Sequence, residues 1–424
     1  MGLNDARYSS VSMTKDSITS LSVATRQSIL LLSFATFSSM AVQRICDAML
    51  PELARVFSVS LGQAAQVVSL FAVVYGAAQL FYGPMGDRLG KFRIVTYATL
   101  ACSVGSVVAV FASSLGMLVA ARMMVALGAA AIIPLAMAWV GDIAPQDQLQ
   151  ETLAKVGLGS TLGIVGGQLL GGLLTDRLGW RWAFGFMAVL FTVVGALLWV
   201  NWRGQLAAAR LAAASNAQAA DGLFKRPGFV DQALAIITGR WSRVVLTVAF
   251  IEGATGFGVL AVWASHLHNA LDLSLTSAGA IVALFGLGGV VYMATARHLI
   301  RRMGQTGLTK LGASLVGLAA LMVAFTPDWL LALPACLLGG FGFFMLHNTL
   351  QANATQMAPA ARGTAVSLFA ASLFLGQSVG VFLAAKLIDR IGSAAVVATG
   401  GVLVFVLGIC FSVALGKREM LFNQ

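Results

Sequence analysis

The sequence predicts an all-α membrane protein with twelve transmembrane helices arranged as two six-helix pseudo-repeats. Three observations predict it. The 424 residues are 58% apolar and only 10% charged, with a mean hydropathy of +0.87, whereas a soluble globular chain carries roughly 25% charged residues. Apolar runs of about 20 residues, enough to span a bilayer as a helix, recur nearly end to end. Short landmarks in the two halves repeat at an almost constant shift.

The runs, in order, are 28–50, 64–83, 94–113, 115–141, 153–174, 182–202, 243–264, 276–297, 308–326, 329–349, 363–386 and 393–415. They lack the short alternating pattern of a membrane barrel, so each is read as a helix that satisfies its own backbone. Residues 1–26 are polar and Ser/Thr-rich. Without the apolar core of a signal peptide, they read as a disordered cytoplasmic tail. Residues 27–202 form the first six-helix bundle, 203–242 a basic, Ala-rich cytoplasmic linker, 243–416 the second bundle and 417–424 a second tail. Within the linker, "DQALAIITGRW" reads as a short amphipathic helix on the membrane surface.

Orientation follows from the basic residues. With the N-terminus cytoplasmic, twenty Lys and Arg fall inside and five outside (Arg55, Arg177, Arg181, Lys386, Arg390), while Arg44 and Arg122 lie within helices. This positive-inside bias places both termini in the cytoplasm. The net charge of +11 then sits at lipid headgroups and calls for no nucleic acid. Cys46, Cys102, Cys336 and Cys410 all fall in predicted helices and read as buried free thiols.

The repeat is visible in "DRLGK" at 87–91 against "RRMGQ" at 301–305, and in "APQDQ" at 144–148 against "APAAR" at 358–362. Gly128 faces Gly342 at the same shift of 214, and "DRLG" at 176–179 faces "DRIG" at 389–392 at 213. Parallel repeats of this kind belong to transporters that rock one half against the other around a central site.

"GPMGDRLGKFR", 83–93, resembles the loop signature G-x-x-x-D-R-x-G-R-K/R of the major facilitator superfamily, with Lys91 at the first basic position and Phe92 departing at the second. "ARMMVALGAAA", 121–131, is similar to its fourth-helix motif, with Val125 and Ala126 in place of the usual Gln and Gly. "GIVGGQLLGG", 163–172, resembles the fifth-helix antiporter motif, with Gly163, Gly167, Gly171 and Gly172 in place and Gln168 where the motif has Pro. The resemblance spans all twelve helices and points to the proton-coupled drug and metabolite exporters. It implies a bacterial inner-membrane location. It also implies that Gly83, Asp87, Arg88, Gly90, Lys91 and Asp142 form a cytoplasmic gate, and Arg88 and Lys91 could both pair with Asp142. Arg301 occupies the Asp position in the second half, so that copy should lack the latch. The alternative for these residues is ordinary interfacial anchoring.

Charged residues inside apolar runs are costly and face a cavity or a partner. Arg44 and Asp47 lie three apart, on one helical face. Arg122 is about 10 Å from the outer end of its helix, a matching depth, so an Asp47–Arg122 pair is expected, with Arg44 competing for the carboxylate. Snorkelling of Arg44 and Asp47 to the interface is the alternative. Glu252 lies about 14 Å from Arg243 along its helix, near the midplane, with no cation on its own helix, and is the expected proton carrier together with Asp47. A neutral Glu252 bonded to a neighbouring helix is the alternative. Tyr75, Gln79, Gln168, His347, Asn348 and Gln377 are further cavity candidates, each of which could instead simply join helices. The His266–His268 spacing is poor support for a metal. The glycines 159–172 suit close helix packing.

The reading is a monomeric secondary transporter, not an enzyme. Small-molecule substrate, protons and the lipid bilayer are its partners, and it needs no cofactor, no metal and no nucleic acid. It exports drugs or small amphipathic metabolites by alternating access. An importer or facilitator of one metabolite is the rival, and an intramembrane enzyme using Asp47 and Glu252 the remote one.

Overall fold

The computed structural model describes residues 23–145, 148–215 and 229–422. The expected tail at 1–22, the linker residues 216–228 and the last two residues lie outside the described residues. Ten helices are long and apolar enough to cross a membrane. Two further crossings make twelve. Leu275–Phe325 is two crossings joined at Gly304, whose φ of +63° breaks the helix, so it provides helices eight and nine. Helix one, Val23–Arg44, is the other; Arg26, Gln27, Gln43 and Arg44 at its ends dilute its apolar core. The remaining crossings are helix two (Leu61–Leu89), three (Lys91–Val110), four (Leu115–Ile143), five (Leu149–Leu178), seven (Arg240–Leu271), ten (Trp329–Gln356) and eleven (Arg362–Ile391). Helices six (Trp180–Ser215) and twelve (Ser393–Phe422) complete the set.

Three elements differ from the expectation. Helix one does not run unbroken to residue 50. A turn at 45–49 interrupts it before Leu50–Val56, which has Pro51 in its first turn, the helix position where proline is tolerated. Helix six continues to Ser215 instead of ending at 202, because "LAAARLAAAS" consists largely of strong helix formers. Helix seven starts at Arg240, and its α-helix gives way to a π-turn at Gly253–Phe257 immediately after Glu252.

Each half has its own hydrophobic core. Helices one to six enclose one and helices seven to twelve the other. Ala261, Phe374, Val381 and Ala385 of the second half lodge in the first core, and Ala48 and Ile164 of the first half in the second. The internal repeat extends to atomic contacts. A Cβ on Gly163 would lie 2.5 Å from the Phe37 carbonyl oxygen, and one on Gly167 2.5 Å from that of Ala41. Adding 213 to each number gives Gly376 against Phe250 and Gly380 against Ala254, both too close to admit a Cβ. Helix five therefore packs on helix one as helix eleven packs on helix seven, backbone against backbone, where only glycine fits.

Two seams join the halves. Along one, helix five meets helix eight: a Cβ on Gly279 would sit 2.5 Å from the Gln168 carbonyl oxygen, and one on Gly286 2.6 Å from Val165 Cγ2. Along the other, helix two meets helix eleven, with Gly76 against Phe374 and the Tyr75 and Phe374 rings 4.4 Å apart. The linker helix Phe229–Thr238 lies on this second seam. Ile236 packs with Leu80, Leu246, Ala365 and Leu368, and Gln232 accepts a 2.7 Å hydrogen bond from Thr364.

Candidate functional site

The turn after helix one places Asp47 inside the protein. Its Oδ2 accepts from Arg44 Nη1 at 3.3 Å and from Gln168 Nε2 at 3.0 Å, and all three side chains are fully buried. Gln168 reaches Asp47 because the glycines of helix five bring its backbone against helix one; a Cβ on Gly167 would lie 2.9 Å from Arg44 Cβ. The antiporter motif's proline at this position would offer no donor. Arg44 also crosses the seam, its guanidinium 4.4 Å from the centre of the Phe257 ring. Phe257 stands 213 residues after Arg44, so two repeat-related positions touch each other.

The expected Asp47–Arg122 pair does not form. Arg122 donates from Nη1 to the Val42 carbonyl at 2.6 Å and from Nε to that of Val67 at 3.3 Å, and lies 4.1 Å over the Phe71 ring. The break in helix one explains the bond to Val42, since carbonyls in a last helical turn lack their usual N–H partners and a guanidinium can supply them. Arg44, three residues from Asp47, takes the carboxylate. Neither Arg44 nor Asp47 snorkels to the surface, as both are fully buried.

In the second half, Glu252 is fully buried, and its Oε2 pairs with His347 Nδ1 at 3.1 Å. His347 retains 14% of its side-chain exposure, stacks on Phe343 at 5.5 Å and 11°, and neighbours Phe257 and Phe369. The π-turn starts at the residue after Glu252; such turns recur at functional sites. Both residues were candidates in the sequence, but their pairing was not foreseen, since a shared depth does not reveal which way two helices face. Tyr75 lies beside Ser39 and Gln79, Asn348 beside Tyr292 of helix eight, and Gln43 Nε2 reaches Gln377 Oε1 across the seam at 3.5 Å.

The expected cavity residues are therefore sealed rather than exposed to an open path. Arg44, Asp47, Tyr75, Gln79, Arg122, Gln168, Glu252 and Gln377 are buried, and His347 and Asn348 half-buried. Among the described residues a cavity of about 760 Å³ opens elsewhere, between helices one and five, toward the face that bears the termini, lined by Ser33, Phe34, Phe37, Lys155, Leu158 and Leu162 among others.

At that face, Gly90 links helices two and three with a φ of +90°, a conformation that favours glycine. Lys91 Nζ binds Asp142 Oδ2 at 2.6 Å and Asp87 Oδ1 at 3.2 Å, while Arg88 is exposed. These bonds stay within the first half. Across the halves, a Cβ on Gly83 would come 3.4 Å from Ser367 Oγ. In the second half, Gln305 stands at the Lys91 position and accepts from Asn353 at 2.8 Å, an amide pair in place of the ionic one. The His-x-His pair is occupied by internal hydrogen bonds, His266 to Ser393 and the Val323 carbonyl, His268 to the Leu273 carbonyl. Cys410 is exposed, contrary to expectation, while the other three thiols are buried.

Comparison with known proteins agrees with this architecture. The family model described as Major Facilitator Superfamily matches residues 32–381. The lincomycin resistance protein of Streptomyces lincolnensis is 29% identical over 328 residues, 66% of either chain. Multidrug resistance protein D of Escherichia coli is 28% identical over 162 residues, 38% of this chain and 41% of its own. The chain thus spans less than two thirds of the length of these relatives. The human organic anion transporter MFSD10 superposes with a TM-score of 0.68 at 15% identity, over 92% of this chain and 99% of its own, a likeness of fold alone. With twelve crossings, two glycine-packed repeats and a family match over most of its length, the chain belongs to the major facilitator superfamily.

Proposed function

We propose that the protein exports drugs or small amphipathic metabolites in exchange for protons, by alternating access. One observation carries the reading. Two carboxylates, Asp47 and Glu252, are held at full burial beside the seam, one in each half, each in contact with an ionisable side chain, Arg44 and His347. Charge at that depth is costly unless it is used, and rocking the halves would alternately cover and uncover it. The resistance proteins among the relatives support export. The apolar cavity between helices one and five suits amphipathic compounds approaching from the face bearing the termini, which the basic residues assign to the cytoplasm. In this reading the protein works as a monomer in a bacterial inner membrane, and Asp47 and Glu252 carry the protons.

The test is a flux assay in proteoliposomes with an imposed proton gradient, screening cationic, neutral and anionic amphiphiles. Substrate should move against the direction of proton flow and stop when an ionophore collapses the gradient. Co-directional movement would instead make the protein an importer, and flux indifferent to the gradient would remove proton coupling.

A further inference from the structure

Two of the three D-R-x-G sequences, 176–179 and 389–392, lie at the face opposite the termini, one at each seam. Helix five ends in Asp176-Arg177-Leu178 and helix eleven in Asp389-Arg390-Ile391. Each is followed by a glycine of positive φ, Gly179 at +97° and Gly392 at +82°, which stops the helix and fixes the aspartate in its last turn. Asp176 Oδ2 accepts two hydrogen bonds from the other half, from Thr276 N–H at 2.6 Å and Thr276 Oγ1 at 2.5 Å. Thr276 is the second residue of helix eight, whose cap Ser274 takes the Ser277 N–H. The other seam repeats the placement, though Asp389 accepts no hydrogen bond among the described residues. Helix two begins with the cap Ser60, which takes the Gln63 N–H, and Gly62 stands 214 residues before Thr276. Asp389 Oδ2 lies 3.1 Å from where a Cβ on Gly62 would be, so the glycine leaves room for the carboxylate.

A carboxylate in a helix's last turn faces the negative end of its own dipole, whereas the first turn of a helix offers free N–H groups and positive charge. Each aspartate is thus unfavourably placed for its own helix and well placed for the facing helix of the other half. We propose that Asp176 and Asp389 are paired latches that hold the face opposite the termini shut, one on each seam. Separating the halves there breaks both contacts and returns each carboxylate to the wrong end of its own dipole, so the latches bias the conformational equilibrium toward closure. The mechanism rests on the halves parting at that face and is independent of which substrate or ion is carried.

Spin labels at Phe111 and Phe325, exposed ends of helices three and nine in different halves, would report the opening by electron–electron distance measurement, with Cys410 replaced by Ser. The Asp176→Asn/Asp389→Asn variant should raise the open population roughly tenfold, with each single change contributing about half of that on a logarithmic scale. An unchanged distance distribution in the folded double variant would overturn the proposal. Should that variant fail to fold, Thr276→Val, which removes one bond to Asp176, and Gly62→Ala, which displaces Asp389, should each shift the distribution in the same direction. No shift in either would equally overturn it.

Discussion

Asp47 and Glu252 are equally buried but keep different company. Asp47 is tied to a permanent cation, so Asp47→Asn strands Arg44 in an apolar setting and should destabilise the fold by about 3 kcal/mol. Adding Arg44→Gln should restore most of that loss, read by thermal unfolding in detergent; a double variant as unstable as the single would dismiss the pair as an energetic unit. Glu252 instead faces the imidazole of His347 at 3.1 Å. Glu252→Gln keeps a hydrogen-bonding group of the same shape, so folding should survive while gradient-driven flux falls at least about tenfold. Unchanged pH-driven flux would take Glu252 out of proton coupling. The sequence revealed which residues were anomalous, since a charge in an apolar run is conspicuous. It did not reveal who pairs with whom. Arg122 matches Asp47 in depth yet turns to the Val42 and Val67 carbonyls, because rotation about a helix axis leaves no trace in spacing.

At the scale of elements, the glycines of helix five set the distance between helices one and five. A Cβ on Gly171 would overlap the Ile45 carbonyl, whereas one on Gly157 would meet only the flexible end of Met137 at 3.5 Å. Gly171→Ala should therefore cost about 1–3 kcal/mol, and Gly157→Ala should be neutral or stabilising by up to about 1 kcal/mol. Equal unfolding temperatures for the two variants would contradict the packing account. The periodic glycines were legible because their four-residue spacing keeps them on one helical face. The turn at 45–49 and the π-turn after Glu252 were not, because 45–49 holds neither Gly nor Pro, and Gly253 and Gly256 do not distinguish a π-turn from glycine-packed helix.

For the whole molecule, separate cores in the two halves make each a folding unit joined by its seams. Residues 1–215 and 216–424 expressed as two chains should therefore copurify and recover transport; halves that stay apart when co-expressed would mean that the covalent link, not the seam, holds the molecule together. The ionic cluster Lys91–Asp87–Asp142 stays within one half, so in this conformation it braces the helix two–three turn against helix four instead of clamping the halves. That distinction is invisible in the motif, which is the same in either state.

The sequence by itself determined the number of crossings, the two-fold repeat, the polar and glycine positions and the family, because each follows from composition, periodicity or a constant shift along the chain. Tertiary structure alone decided which charges meet, where the protein is sealed and where a cavity of about 760 Å³ opens. Those outcomes depend on the rotation and approach of helices far apart in sequence, and a buried charge takes whichever partner that packing brings within hydrogen-bonding distance.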